Sequence, residues 1–333
     1  SFGCAEGNYR TIAFRNALQN WQDMGYKTVL GPNCYAAKGI GISNTPEKCG
    51  QEVMDSFLSE ESDCLISCGG GELMCEILPF VDFEKLAAVK PKWFMGYSDN
   101  TNLIHLLATL TDTASVYGPC AGTFGMEPWH ASLGDAFGIL NGEKVDQNKV
   151  TVAGYDGWEA ESLKGPDNPL APYHLTKQRV LRTYIGREQV LEATFRGRLL
   201  GGCMDCLVNL LGTRFDRTRE FTERYREDGI IWFLEACDLN LMGIRRAMWQ
   251  MEHAGWFQHC KGFLIGRPRT GMKAEEFGID HYQAACEMIR KYNVPVMMDL
   301  DIGHLPPMMP LICGSMAQVV SDGRKYRVEM NLR

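Results

Sequence analysis

Apolar positions follow two rhythms along this chain. Between residues 8 and 24 they recur at helical spacing, with Ile12, Leu18, Trp21 and Met24 among them, so a helix is predicted there. The run "YKTVLG" (26–31) then reads as a strand, residues 46–60 as a second helix, and "DCLISCGGGE" (63–72) as a strand running into glycines. Trp93-Phe94-Met95 is another short apolar run; the chain turns through Gly96-Tyr97-Ser98-Asp99-Asn100, and residues 101–110 read as a helix. Strands alternating with helices argue for a parallel sheet covered on both faces. The rhythm breaks over 126–195, where "GYDGWEAESLKGPDNPLAPYH" is rich in Gly, Asp, Asn and Pro, and this stretch is read as a linker or insertion. From "FRGRLLGG" onward the alternation resumes. "GIIWFLEACD" and "CKGFLIGRP" are strands around a helix at 239–255, and a helix over 274–292 leads into "VPVMMDLDIGH". The expectation is an α/β protein of two domains, 1–125 and 196–333, without internal repeats.

Composition narrows the partners. A length of 333 residues suits two domains. A hydrophobic fraction of 45% and a charged fraction of 23% are ordinary for a soluble protein. The net charge is −7, from 34 basic and 41 acidic residues with no Lys/Arg run, which argues against nucleic acid and anionic membrane. No apolar stretch approaches the roughly 18 residues of a membrane span. The start shows no signal-peptide pattern, so a cytoplasmic location is expected; it also lacks an initiator Met, so the natural product is expected to be longer. Thirteen cysteines sit singly, mostly in apolar runs (Cys64, Cys68, Cys237, Cys313), where a free thiol packs as a small hydrophobe. The one CxxC, Cys203 to Cys206, has no second pair or His pair at zinc spacing. Neither metal nor cofactor is expected.

Three reactive residues share one placement. Ser98 follows "KWFMGY", Glu235 ends "IIWFLE", and His304 follows "VPVMMDLDIG". Each sits at or just past the carboxyl end of a predicted strand, where open parallel sheets bind ligands. Each has a plain alternative: Ser98 a helix cap, Glu235 a solvated strand end, His304 a loop residue. Yet Glu235 follows five apolar residues, so it starts partly buried, where an unpaired carboxylate is costly. Brought together, the three make a hydrolytic triad. The glycines of "CGGGE" (68–72) and the N–H of Asp99 supply the donors an oxyanion hole needs.

These segments carry a resemblance. "GGGELMCEILPFVDF" (69–83), "PKWFMGYSDNTNL" (91–103), "YGP" (117–119), "GGCMDCLVNLLGT" (201–213), "WFLEACD" (232–238), "RRAMWQMEHAG" (245–255), "VPVMMDLDIGH" (294–304) and "PLICG" (310–314) occur in family order. The chain resembles the serine-peptidase family that contains the LD-carboxypeptidases and the microcin C immunity peptidases. The resemblance implies an N-terminal parallel-sheet α/β domain and a C-terminal α/β, barrel-like domain with the active site at their interface. It makes Ser98 the nucleophile, Glu235 the acid and His304 the base, with Gly70 or Gly71 and Asp99 at the oxyanion positions. The reaction implied is amide hydrolysis through an acyl-enzyme, without cofactor. The substrate is a murein tetrapeptide in one branch, giving a role in peptidoglycan recycling, and an aminoacyl-nucleotide analogue in the other, giving microcin resistance. A homodimer is expected.

Two departures bear on this. The chain begins at "SFGCAEGNYR", just after the strand with which the family starts, so the sheet is expected to lack one strand. Glu72 stands where relatives often carry Tyr or Asn, close to substrate. Arg245, Arg246 and Arg267 are the candidate anchors for a substrate carboxylate, a group best held by an arginine fork. Trp158 and Trp129 are candidates to stack on a purine, or simply to pack.

Overall fold

The computed structural model describes residues 8–272, 275 and 277–332. The N-terminal half runs α1 (Tyr9–Asp23), α2 (Pro46–Leu58), β1 (Cys64–Ile66), α3 (Phe83–Ala88), β2 (Trp93–Gly96), α4 (Thr101–Thr111), β3 (Ser115–Tyr117) and α5 (Ala131–Asn141). Local chemistry sets the helix starts. The Asn8 side chain caps α1 by accepting from Arg10 N–H. Pro46 opens α2, where its missing N–H costs nothing, and Glu47 favours the positive end of the helix. Strands β1, β2 and β3 run parallel in that order.

Residues 26–31, predicted as a strand, form none. Val29 and Leu30 are 51% and 42% exposed. An apolar cavity of about 430 Å³, lined by Phe14, Trp21, Leu30, Leu65, Ile66 and Phe94 among others, lies beside β1 on this side. The segment therefore has no neighbouring ladder to take its backbone bonds.

The stretch 126–195 is more ordered than its composition suggests. It holds α5, β4 (Val145–Asp146), β5 (Lys149–Ala153), β6 (Gly157–Trp158), β7 (Lys177–Gln178), β8 (Arg182–Ile185) and β9 (Glu188–Val190). These strands have two to five residues, too short to show a period in sequence, although β5 alternates exposed and buried positions.

The C-terminal half runs β10 (Ala193–Cys203), α6 (Met204–Leu210), α7 (Thr218–Arg224), β11 (Ile230–Glu235), α8 (Leu241–His253), β12 (Cys260–Gly266), α9 (His281–Ile289), β13 (Pro295–Leu300), β14 (Leu311–Cys313), β15 (Met316–Ser321) and β16 (Tyr326–Asn331). The helix predicted over 274–292 starts only at His281, where Asp280 and Gln283 form a capping box; residues 274 and 276 lie outside the described residues. Strands β10 to β13 form a parallel core, and all six residues of β11 are buried, as a central strand requires. The sheet of ten is ordered β4-β5-β16-β15-β10-β11-β12-β13-β8-β9, so the middle stretch supplies both its edges. That order is open, with β4 and β9 at its ends.

One strand crosses between the halves. β14 pairs antiparallel with β3, setting Leu311 opposite Tyr117, so a C-terminal strand completes the N-terminal sheet. At the same seam Thr101 Oγ1, at the start of α4, accepts from Cys203 N–H at 3.0 Å. The carboxyl ends of β2, β3, β10, β11 and β13 carry the residues of the candidate site. Among the described residues no helix is long and apolar enough to cross a membrane.

Candidate active site

Ser98 sits two residues beyond β2 with φ +62°, a left-handed conformation that a residue with a side chain adopts at a cost. Its surroundings hold it there. Asn100 Nδ2 donates to the carbonyls of Tyr97 (2.9 Å) and Gly69 (3.0 Å), joining the turn to the glycine loop. The Asp99 carboxylate accepts from Met74 N–H at 2.9 Å and Asn102 Nδ2 at 3.1 Å. Burial nevertheless pushes Asp99 up to about 6. Gly70 lies against the hydroxyl: a Cβ there would stand 3.2 Å from Ser98 Oγ. No described residue accepts from the N–H of Gly70 or Gly71. Backbone donors without a partner beside a strained serine are what a developing oxyanion needs.

Glu235 ends β11 and is fully buried. Its Oε1 accepts from the Tyr117 hydroxyl at 2.7 Å, and its Oε2 accepts from His304 Nδ1 at 2.9 Å. Only glycine fits at position 303, where φ is +100° and a Cβ would fall 2.5 Å from Glu235 Oε2. Tyr97 packs on the His304 ring with centroids 5.0 Å apart, bringing the imidazole next to the serine turn. With Nδ1 donating to Glu235, Nε2 is left as the basic nitrogen. Burial pushes this imidazole down, but the Glu235 charge, with bonds to Cys237 and Glu235, outweighs it and raises His304 well above its ordinary value. Ser98 Oγ and His304 are not hydrogen-bonded to each other here; in ligand-free hydrolases such contacts are often long.

Thiols surround this pair. Ligand atoms of Cys203, Glu235 and His304 lie within 4.8 Å of one another, close enough to hold a cation in principle. The chemistry does not fit one. A thiol ligand must lose its proton, and the contact with Cys206, together with burial, holds the Cys203 thiol well above its ordinary value. Glu235 and His304 already satisfy each other. Cys206 Sγ meets the Ser98 carbonyl at 3.6 Å. The cysteines among the described residues are all free.

The predicted substrate-binding residues scatter. Arg267 is 1% exposed; it donates to the Asp299 carbonyl at 2.8 Å and to Asp301 Oδ1 at 2.6 Å, and lies over the Trp158 ring. It is an internal strut, out of a ligand's reach. Trp158 is 9% exposed beneath it, and Trp129 donates to the Phe124 carbonyl at 2.7 Å, so both indoles are packing groups. Arg245 bridges to Glu287 at 2.9 Å and ties α8 to α9. Arg246 is exposed on α8, and Glu72 is exposed beside the glycine loop. Sequence reasoning passed over two residues that lie at the site. Tyr117 was visible only as the first letter of "YGP". Arg269, two positions beyond Arg267, has Nη1 3.4 Å from the Sγ of Cys237, a thiol near His304, and its side chain is 56% exposed.

The fold is that of a serine-type carboxypeptidase built from two α/β units. The family model for the LD-carboxypeptidase N-terminal domain matches residues 2–118, that for the C-terminal domain matches 196–319, and the chain belongs to the LD-carboxypeptidase family. Among curated relatives, the microcin C7 self-immunity protein MccF of Escherichia coli is 23% identical over 95% of this chain and 87% of its own. The crystal structure of an MccF-like protein from Bacillus anthracis superposes with a TM-score of 0.80 at 19% identity, covering 99% of this chain and 94% of that one. A muramoyltetrapeptide carboxypeptidase from Oxalobacter formigenes superposes with a TM-score of 0.69 at 20% identity, covering 96% and 94%. MccF has also been solved in complex with aspartyl sulfamoyl adenosine.

Proposed function

We propose that this chain cleaves an amide bond through an acyl-enzyme, with Ser98 as nucleophile, His304 as general base and Glu235 as the acid that orients it. The observation that carries this reading is the Glu235 Oε2 to His304 Nδ1 bond of 2.9 Å, made beside a serine in a left-handed turn. His304 Nε2 takes the Ser98 proton as Oγ attacks the carbonyl carbon. The oxyanion faces the N–H groups of Gly70, Gly71 and Asp99. The imidazolium, stabilised by Glu235, then protonates the leaving amine, and water repeats the sequence to release the acid. Because His304 must be neutral to act and its basicity is raised, kcat/KM rises with pH through the neutral range.

The substrate reading is a murein-type tetrapeptide, cut before its terminal D-alanine. Arg269, exposed and one thiol away from His304, gives a free carboxylate a partner. An aminoacyl-nucleotide analogue is the second reading, favoured by the likeness to MccF over nearly the whole chain. The test is to incubate the protein with a tetrapeptide ending in D-Ala and with an aminoacyl sulfamoyl-adenosine, scored by mass spectrometry. Ser98→Ala should abolish turnover of whichever is cut, by several powers of ten. A variant that keeps a tenth of the wild-type rate makes Ser98 a helix cap and ends the triad reading.

A further inference from the structure

Tyr117 closes β3, between β2, which delivers Ser98, and β14, which comes from the C-terminal half. Its side chain is fully buried, held by the rings of Phe233 and Tyr97 at centroid distances of 5.4 Å and 6.5 Å. Its hydroxyl donates to Glu235 Oε1 at 2.7 Å and accepts from Ser98 N–H at 3.4 Å. Among the described residues Glu235 has just one other donor, His304 Nδ1. With the carboxylate fully buried, solvent does not share its charge. A single phenol thus touches both the backbone of the nucleophile and the acid, which come from different halves of the chain.

We infer that Tyr117 is a positioning residue for the amide hydrolysis proposed above: its hydroxyl sets how much of the Glu235 charge reaches His304, and it ties that carboxylate to the Ser98 turn. The inference rests on the triad reading. It stands on competition between donors. Each bond a carboxylate accepts disperses its charge, so a donor at Oε1 weakens the pull that Oε2 exerts on the imidazolium. Cys203 lies beside Glu235, Cys237 and Tyr97 lie against His304, and Arg269 stands beyond Cys237. None of these donates to Glu235. Burial and the neighbouring carboxylate also keep the phenol protonated, since both push its ionisation well above the ordinary value. It is therefore always a donor.

The experiment titrates His304 in the full chain carrying ¹³C-labelled histidine. Its ring signal is assigned by its loss in His304→Gln, so no substrate is needed. In Tyr117→Phe the titration midpoint should move to higher pH by about half a unit or more, because the whole carboxylate charge then faces the imidazole. On the cleaved substrate, kcat should fall about tenfold or more at unchanged KM, as expected when positioning and not binding is lost. A folded variant with an unmoved midpoint, even one that melts at lower temperature, reduces Tyr117 to a packing residue and overturns the inference. If Tyr117→Phe does not fold, 3-fluorotyrosine placed at position 117 keeps the question open to measurement. It is a stronger donor, so the midpoint should move to lower pH; no movement overturns the inference. Ser98→Ala separates the two claims. Retained turnover removes the triad itself, whereas a dead Ser98→Ala beside an unaltered Tyr117→Phe removes only the role of Tyr117.

Discussion

Glu235 and Asp301 are both fully buried carboxylates close to His304 in the fold, yet their surroundings differ. Asp301 accepts from the Arg267 guanidinium at 2.6 Å, from Tyr155 N–H at 2.8 Å and from the Tyr326 hydroxyl at 2.9 Å. Its charge is neutralised by a cation that is itself 1% exposed. Glu235 has a phenol and an imidazole, and among the described residues no fixed cation bonded to it. A carboxylate already paired with arginine has nothing to gain from further charge, and it serves as a strut under the loop that carries His304. A carboxylate short of a cation gains most when His304 takes a proton, which is when a hydrolytic reaction calls on it. The difference assigns mechanics to one and chemistry to the other.

The largest effect should separate them in activity. Glu235→Gln keeps the shape but removes the charge that orients and supports the imidazolium, so kcat should fall about 10⁴-fold with little loss of melting temperature. A fall of less than tenfold would make Glu235 a second strut. The next effect should separate them in stability. Arg267→Met leaves Asp301 buried without its cation, a class of change that costs about 3–5 kcal/mol. Urea unfolding of the two variants measures the contrast directly. It is lost if Glu235→Gln proves the less stable of the pair.

The contrast extends to two buried imidazoles. His304 is raised by its carboxylate, whereas His105 in α4, stacked on Trp256 at 5.2 Å and bonded to Thr218 Oγ1 at 2.9 Å, is pushed by burial down to about 4. A histidine whose basicity is lowered on folding contributes stability that is complete above its unfolded value near 6.5 and lost as pH falls toward 4, in total about 3 kcal/mol. Asp99, raised from 3.8 to about 6, runs the other way: its contribution is present at low pH and lost as pH rises through 6. The wild-type curve therefore masks His105, and the variant must be subtracted. The wild-type advantage over His105→Gln should shrink by about 3 kcal/mol between neutral pH and pH 4. A pH-independent difference would show that the buried imidazole does not titrate across folding.

How much of this was legible in the sequence depends on what each feature needs. The parallel core could be read because a strand buried on both faces is a continuous apolar run, as Ile230 to Leu234 is. Ser98, Glu235 and His304 could be picked out because strand ends are local features, and the structure sets Glu235 against His304 and Gly70 against Ser98. The edges of the large sheet could not be read. β4 and β9 have two and three residues, and the hairpins they form with β5 and β8 join the sheet through β16 and β13, which lie far away in sequence. The arginines misled for a related reason. Arg267 and Arg269 both follow the end of β12, and sequence cannot say which of two nearby side chains is 1% exposed and which points to solvent. Tyr117 was hidden because its importance lies in a bond to a residue 118 positions away.

That pair of arginines gives the smallest and most specific test. Arg267 has its guanidinium engaged by Asp301 and the Asp299 carbonyl, so it offers a substrate nothing. Among the described residues the Arg269 guanidinium is held by a thiol at 3.4 Å and by the exposed Asp238 carboxylate at 3.5 Å, contacts that an incoming ligand can replace. An exposed pair of this kind is worth little by itself, so exchanging Asp238 for a substrate carboxylate costs little. A bidentate carboxylate–guanidinium contact is stronger and sets orientation as well. Arg269→Ala should therefore raise KM about tenfold for a peptide with a free terminal carboxylate, and much less for the same peptide capped as an amide. Its kcat should change little, because Glu235 still holds His304. Equal losses on the two peptides would mean that Arg269 acts through Cys237 on the base and not on the ligand. No loss on either would leave the carboxylate to backbone donors, or place it outside the natural substrate, and the aminoacyl-nucleotide reading would then lead.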